Sequence, residues 1–412
     1  MSVTAAKGFR AAGVAAGIKD AGLDVALIVN DGPTKAAAAV FTRNRVKAAP
    51  VLWSQQVVND GRLDAVVLNS GGANACTGAE GFRDTHATAE HAAATLGISA
   101  ADVAICSTGL IGVRLRLEAL RGGVDKAAAS LSAAGGDDAA VAILTTDTVP
   151  KQAVAVGGTS GPSGRQRDDD RAIPASAPAA QTTAGEVGGY TVGGMAKGAG
   201  MLAPALATML VVLTTDAEVP AADLDRALRS ATRRTFDRLD SDGCLSTNDT
   251  VLLLASGASG ARPPYDEFAR VVEEVCADLA AQLLSDAEGA SKTIAIEVSR
   301  AATEADALTV GRAIARNSLV KCAIHGEDPN WGRILAAIGT TDAAFEPERL
   351  AVAVNGVWVC RDGGIGEPRE LADMSTRHVT ITVDLAAGDA TATVHTTDLT
   401  AAYVHENSAY SS

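Results

Sequence analysis

The chain reads as an α/β protein, and three patterns carry that reading. In the first half, apolar runs of strand length alternate with a helical periodicity. Beyond residue 260, a long amphipathic helix pattern appears at Tyr265 to Ser285. Near the C-terminus, alternating apolar runs return.

Asp24 to Val29, Ala65 to Leu68 and Ala101 to Cys106 are short and rich in Val, Ile, Leu and Ala, and they read as strands. Phe82 to Leu96 reads as a helix. Gly157 to Gly188 breaks the pattern with Gly, Ser, Pro and the charge-dense stretch Arg165 to Arg171. Such a composition buries too little apolar surface to order itself, and a mobile loop is expected. Lys197 to Ala207 is Gly-rich and contains Pro204, and it runs into the β-favouring Met209 to Leu213.

Tyr265 to Ser285 places Phe268, Val271, Val272, Val275, Leu279 and Leu283 at helical spacing, with a C-cap expected at Glu288-Gly289. A strand follows at Thr293 to Val298, then a helix at Ala307 to Lys321. Alternating runs come at Leu350 to Val359, Val379 to Leu385 and Ala390 to His395. Ala386 to Asp389 reads as the turn of a hairpin joining the last two. A C-terminal α+β unit therefore begins near residue 290.

Composition excludes several classes. The 412 residues are 47% hydrophobic and 20% charged, ordinary values for a globular protein, and 412 residues suffice for two or three cores. A net charge of -14 argues against nucleic acid as a partner. No apolar run nears the ~18 residues of a membrane span, and no basic-then-apolar leader opens the chain, so a cytoplasmic location is expected. The cysteines at 76, 106, 244, 276, 322 and 360 form no C-x-x-C pair, and His86 and His91 miss the i, i+4 spacing of a helical metal pair. No metal is expected. Gly198-x-Gly200-x-x-Ala203 superficially fits a dinucleotide fingerprint, but no strand is read before it and Pro204 interrupts the required helix.

Chemistry concentrates at Thr208. A hydroxyl at the junction of an irregular loop and a buried strand suits a nucleophile that attacks the carbonyl of Ala207, converts the amide to an ester and lets water cut the chain there. The new α-amino group, with an ordinary pKa of about 7.7–8.0, then serves the same hydroxyl as general base. Ser246 to Thr250 either lines a cavity or forms a self-capping turn.

The segment Thr191 to Met201 with Ala207-Thr208-Met209-Leu210 resembles the self-processing site of the ornithine acetyltransferase (glutamate N-acetyltransferase) family. Further matches lie in order along the chain. They include Asn69-Ser70-Gly71 leading to Ala73-Asn74-Ala75-Cys76-Thr77-Gly78, Ser107 to Gly112, Thr145-Thr146-Asp147-Thr148, Ser246 to Thr250, and His325 to Arg333. The resemblance implies a layered self-processing fold of the N-terminal-nucleophile type. It divides the chain into an α chain, 1–207, and a β chain whose first part is 208–290 and whose C-terminal part is 291–412.

The resemblance also implies a reaction. Thr208 takes the acetyl group from N-acetylornithine as an ester and passes it to glutamate, in a ping-pong cycle without metal or bound cofactor. Acetyl-CoA is an added donor in bifunctional members, and no short motif here decides that question. The family's oxyanion hole falls on Thr108 and Gly109, and its substrate contacts on Thr145, Lys197, Thr208, Glu288, Asn407 and Ser412. Lys197 and Glu288 suit the carboxylate and the ammonium of an amino acid. The processed halves are expected to pair as α2β2.

Two departures stand out: a longer connection at 157–188, and Gly72 where Asn is usual. Two other functions remain open on the residues alone, a self-processing amidase or aminopeptidase and an uncleaved small-molecule binding protein.

Overall fold

The computed structural model describes residues 2–158, 189–201 and 209–409. The chain opens with β1 (Phe9–Val14) and β2 (Val25–Asn30), then β3 (Ala36–Phe41), α1 (Ala49–Val57), β4 (Ala65–Asn69), α2 (Gly78–Leu96) and β5 (Val103–Ser107). A four-stranded sheet takes the order β1-β2-β4-β5, with β4 and β5 parallel across the α2 crossover. Strand β5 starts later than the run at Ala101 suggests, because Ser99 caps a short 3-10 turn at Ala100–Asp102. Helices α3 (Leu117–Ser130) and α4 (Gly136–Ala142) pack on β1 and β2.

The second sheet draws on β6 (Lys151–Gly157), β7 (Tyr190–Lys197), β8 (Leu210–Thr215) and β9 (Thr250–Ala255) in the order β3-β9-β8-β7-β6. The helices α5 (Ala221–Arg234) and α6 (Tyr265–Ser285) belong to it. Strands β8 and β9 are buried on both faces, so they read as continuous apolar runs rather than alternating ones. Their period of two nevertheless sorts side chains between two cores. Leu210, Val212, Leu252 and Leu254 join the core shared with the first sheet, while Val211, Leu213, Val251 and Leu253 join the core under α5 and α6. In α6, Phe268, Val272, Leu279 and Leu283 are buried there at about 1.5–3 kcal/mol each, so packing holds this helix more than propensity does.

Helix α6 spans the residues its periodicity predicts, but it stops with Asp286 as its cap, short of Glu288-Gly289. The strand β7 stands where the sequence reading found none ahead of Gly198. Its two glycines, Gly193 and Gly194, hide the β pattern. Gly157 closes β6. The rest of the segment read as a mobile loop lies outside the described residues from 159 to 188.

The third sheet is built from β10 (Thr293–Ala301), β11 (Ala351–Val354), β12 (Val357–Arg361), β13 (Gly364–Ile365), β14 (His378–Asp384) and β15 (Ala390–Thr397). Its order is β13-β12-β11-β14-β10-β15. Helices α7 (Glu304–Ala315), α8 (Ser318–His325) and α9 (Trp331–Ile338) contribute to the same core, and α10 (Ala401–Ala409) ends the described chain.

Three expectations need correction here. The helix read over 307–321 is two helices, because Asn317 accepts the Val320 amide with its side chain and caps a new start. The run 350–359 is a hairpin, β11 and β12, turned by Asn355 and Gly356 at φ 47 and 85. The predicted hairpin at Ala386–Asp389 is not one, since β10 lies between β14 and β15 and pairs with both. The Ala387 and Gly388 amides both donate to the Arg300 carbonyl, so this turn caps the end of β10.

Candidate active site

The ends of β5, β7 and α6 open into one cavity of about 550 Å³. Six of the residues singled out from the sequence line it: Thr108, Gly109, Thr145, Lys197, Glu288 and Asn407. Ala207, Thr208 and Ser412 lie outside the described residues. Met209, the residue after Thr208, is described, and its amide donates to Asp249 Oδ1 at 2.9 Å.

Strand β5 delivers Thr108 because its apolar residues are buried against β4 and α1, which leaves the polar end at the cavity. The Thr108 amide donates to the Asn69 carbonyl and its own carbonyl accepts from Gly72. Two donors remain at this turn, the Thr108 hydroxyl and the Gly109 amide, which is unengaged among the described residues. Gly109 holds φ +129, and a Cβ there would sit 2.5 Å from the Gly72 nitrogen, so backbone itself excludes any side chain. Gly72, the departure noted above, would drive a Cβ to 2.6 Å from Leu115. That position is a packing contact here.

Lys197, at the end of β7, is fully buried, and its Nζ donates to Thr145 Oγ1 at 2.7 Å and to Thr108 Oγ1 at 3.1 Å. An ammonium only donates, so each hydroxyl is left to turn its own proton toward the cavity. Desolvation lowers the Lys197 pKa; Asp147, Glu288 and Asp249 act against it, while Lys151 adds to the lowering.

Asp147, which the sequence reading quoted only as part of a motif, organises this corner. It lies 3.8 Å from Lys197 Nζ, receives Lys151 at 2.6 Å and takes the Gly198 amide at 2.6 Å. Burial raises its pKa, yet Lys197, Lys151 and the Gly198 hydrogen bond outweigh that and hold it below the usual carboxylate value. Lys151 also pairs with Asp286 at 2.5 Å, which ties β6 to the end of α6. Removing one member of such a buried network costs about 3–5 kcal/mol, because the others lose their counter-charge.

Glu288 is brought in from the segment after α6 and Asn407 from α10. Asn407 Nδ2 donates to Glu288 Oε2 at 3.0 Å. Helix α10 can seat there because Gly289, at φ +58, has no Cβ; one would lie 2.3 Å from the Tyr403 nitrogen. Thr400 donates to the Gly289 carbonyl at 2.6 Å and completes the seat. Arg377, His405 and Glu406 also line the cavity, and local sequence gave no signal for them.

Ser246, Thr247 and Asn248 prove to be cavity residues rather than only a turn. Asn248 Nδ2 bonds the carbonyls of Ala73 and Ser107 at 2.6 and 2.8 Å and so fastens this loop to the end of β5. Among the described residues, no group of three His, Cys, Asp or Glu could hold a metal ion.

These groups define a layered α/β protein with a small-molecule site. Buried hydroxyls and a lysine share the cavity with a carboxylate, a set of charges suited to an amino acid. The chain belongs to the ArgJ family, which it matches over residues 10–162 and 172–412. The gap in that match falls inside the long connection noted in the sequence.

The chain is 65% identical to the arginine biosynthesis bifunctional protein ArgJ of Streptomyces coelicolor, with 100% of each chain covered. It is 56% identical to that of Mycobacterium tuberculosis, covering 100% of this chain and 96% of the relative. Among solved structures, ornithine acetyltransferase from Mycobacterium tuberculosis complexed with ornithine is 51% identical, over 49% of this chain and 94% of that one, with a TM-score of 0.40. The Bacillus halodurans ArgJ structure is 35% identical, over 49% and 98%, with a TM-score of 0.46.

Proposed function

We propose that the chain is an acetyltransferase of arginine biosynthesis that moves acetyl from N-acetylornithine to glutamate through an ester on Thr208, after cutting itself between Ala207 and Thr208. The observation that carries the reading is Lys197, bonded to the hydroxyls of Thr108 and Thr145 in the same cavity as Glu288 and Asn407.

In the first half-reaction the Thr208 hydroxyl loses its proton to the α-amine and attacks the acetyl carbonyl. Charge gathers on the carbonyl oxygen, where the Thr108 hydroxyl and the Gly109 amide are the available donors. A preorganised donor of this kind is worth about 10²–10³ in rate. Collapse breaks the amide bond and expels the amine of ornithine, which takes the proton back. Glutamate's amine reverses the sequence. Lys197 suits the substrate carboxylate and Glu288 the ornithine ammonium, at opposite charge and within one cavity.

No helix among the described residues is long and apolar enough to cross a membrane. The reading places the enzyme in the cytoplasm with its six thiols free, as processed α and β chains paired α2β2. Acetyl-CoA is the second donor to assay, since the curated relatives are named bifunctional.

Cleavage leaves 207 and 205 residues, so intact mass is the appropriate test. The wild type should give two chains, the second beginning Thr-Met-Leu, and should form acetylglutamate from acetylornithine. Thr208→Ala should stay at full length and form no acetyl-enzyme. Cleavage of that variant at the same bond would overturn the assignment, and ornithine release without acetylglutamate would favour the amidase.

A further inference from the structure

One buried carboxyl beside the junction has no part in the scheme above. Asp249 immediately precedes β9 and is fully buried. Its Oδ1 accepts the Met209 amide at 2.9 Å, and its Oδ2 has no hydrogen-bond partner among the described residues. We propose that Asp249 positions the nucleophile, its Oδ1 holding the Met209 nitrogen, the atom bonded directly to the Thr208 carbonyl carbon, so that this peptide plane stays fixed through self-cleavage and acetyl transfer. The proposal rests on Thr208 being the nucleophile.

The carboxyl is mounted rigidly. The Asp249 carbonyl accepts from Thr42 at 3.0 Å, and the preceding Asn248 is clamped to the carbonyls of Ala73 and Ser107. Met209 is gripped on its other side as well, since its carbonyl accepts from the Thr250 amide at 3.2 Å. Consecutive peptide planes after the nucleophile are thus fixed by consecutive residues of one loop. The Met209 nitrogen is covalently bonded to the residue that carries the proposed nucleophile, so rotation of that plane would displace the reacting groups. Displacement of a reacting group by about 1 Å can cost about a hundredfold in rate.

A carboxyl is a costly choice for a purely structural acceptor. A buried polar atom without a partner is destabilising, and such exceptions call for a reason. The groups facing Asp249 are the Met209 amide, the Ser246 hydroxyl and Lys197. All three favour its charged form, and burial outweighs them, keeping it well above the usual carboxylate range. The acceptor that holds the Met209 amide is Oδ1.

The test compares Asp249→Asn, which keeps a carbonyl acceptor, with Asp249→Leu, which keeps the size but not the acceptor. Self-cleavage rate is read by intact mass, acetyl transfer by acetylglutamate formation, and folding by thermal midpoint and ornithine affinity. The Asn variant should cleave and transfer within about fivefold of wild type. The Leu variant should slow self-cleavage at least a hundredfold while binding ornithine within threefold of wild type.

A folded Asn variant that fails to cleave would overturn the positioning role. So would a Leu variant that cleaves at the wild-type rate. Should Leu not fold, the Asn variant alone decides. A wild type that neither cleaves nor transfers would instead sink the functional reading itself.

Discussion

Substituting Gly200 by Ala should uncouple binding from stability. A Cβ at Gly200 would lie 2.4 Å from Glu288 Oε2 and 2.8 Å from Oε1, against an ordinary contact of at least 3.4 Å. The obstacle is the far end of a flexible side chain, so the carboxylate withdraws by about 1 Å and the backbone stays put. Withdrawal breaks the 3.0 Å bond from Asn407 and moves the only carboxylate proposed to meet the ornithine ammonium. A hydrogen bond to a charged group contributes about 1.5–3 kcal/mol, which is about a 10- to 100-fold loss in kcat/KM for acetylornithine. Steady-state kinetics with each substrate, alongside a thermal melt, provide the assay. The loss should fall on acetylornithine more than on glutamate, with Tm within about 2 °C of wild type. Unchanged kcat/KM for acetylornithine would refute the role given to Glu288.

Two further outcomes follow from burial and from the chain end. Desolvation, with Arg238 nearby, pushes His395 down to about 4, so between pH 6.5 and 4 the unfolded chain binds a proton that the folded chain does not. Stability should rise with pH across that window. Asp240, pushed up to about 6 by burial, works in the opposite direction, so the comparison is His395→Gln against wild type. The variant should lose about 2–3 kcal/mol less than wild type between pH 7 and 4.5 in denaturant unfolding, and equal losses would contradict the assignment. Deleting residues 407–412 should impair acetyl transfer tenfold or more with little change in Tm, since α10 buries no residue while Asn407 reaches Glu288; unaltered transfer kinetics would count against it.

Legibility in the sequence followed the range of the interaction. Helix α6 was readable end to end because its stripe of Phe and Val repeats locally, and β2 and β4 because both faces are buried. The partner of a strand is a different matter. Ala386–Asp389 looks the same whether it joins neighbours or straddles β10, and only the Arg300 carbonyl, 87 residues from Ala387, distinguishes the two. The Asn355-Gly356 signal for the β11–β12 hairpin is present in the sequence, embedded in a longer alternating run.

In the site, Lys197 and Glu288 were found by resemblance. Asp147, Asp286 and Lys151 form a network whose members come together only through folding, and polarity alone would put them at the surface. Asp249 belongs to the Ser246 to Thr250 motif, but nothing local marks its carboxyl as buried.

Strand β8 lies between β7, which precedes the proposed scission point, and β9, which follows it, and it is laddered to both along its length. Its side chains are anchored above and below in separate cores. Hydrolysis at the proposed point would therefore liberate an amine without liberating a polypeptide. The two products stay woven into one sheet, and pulling them apart would mean extracting an inner strand from a sandwich, so the processed molecule should melt as a single body.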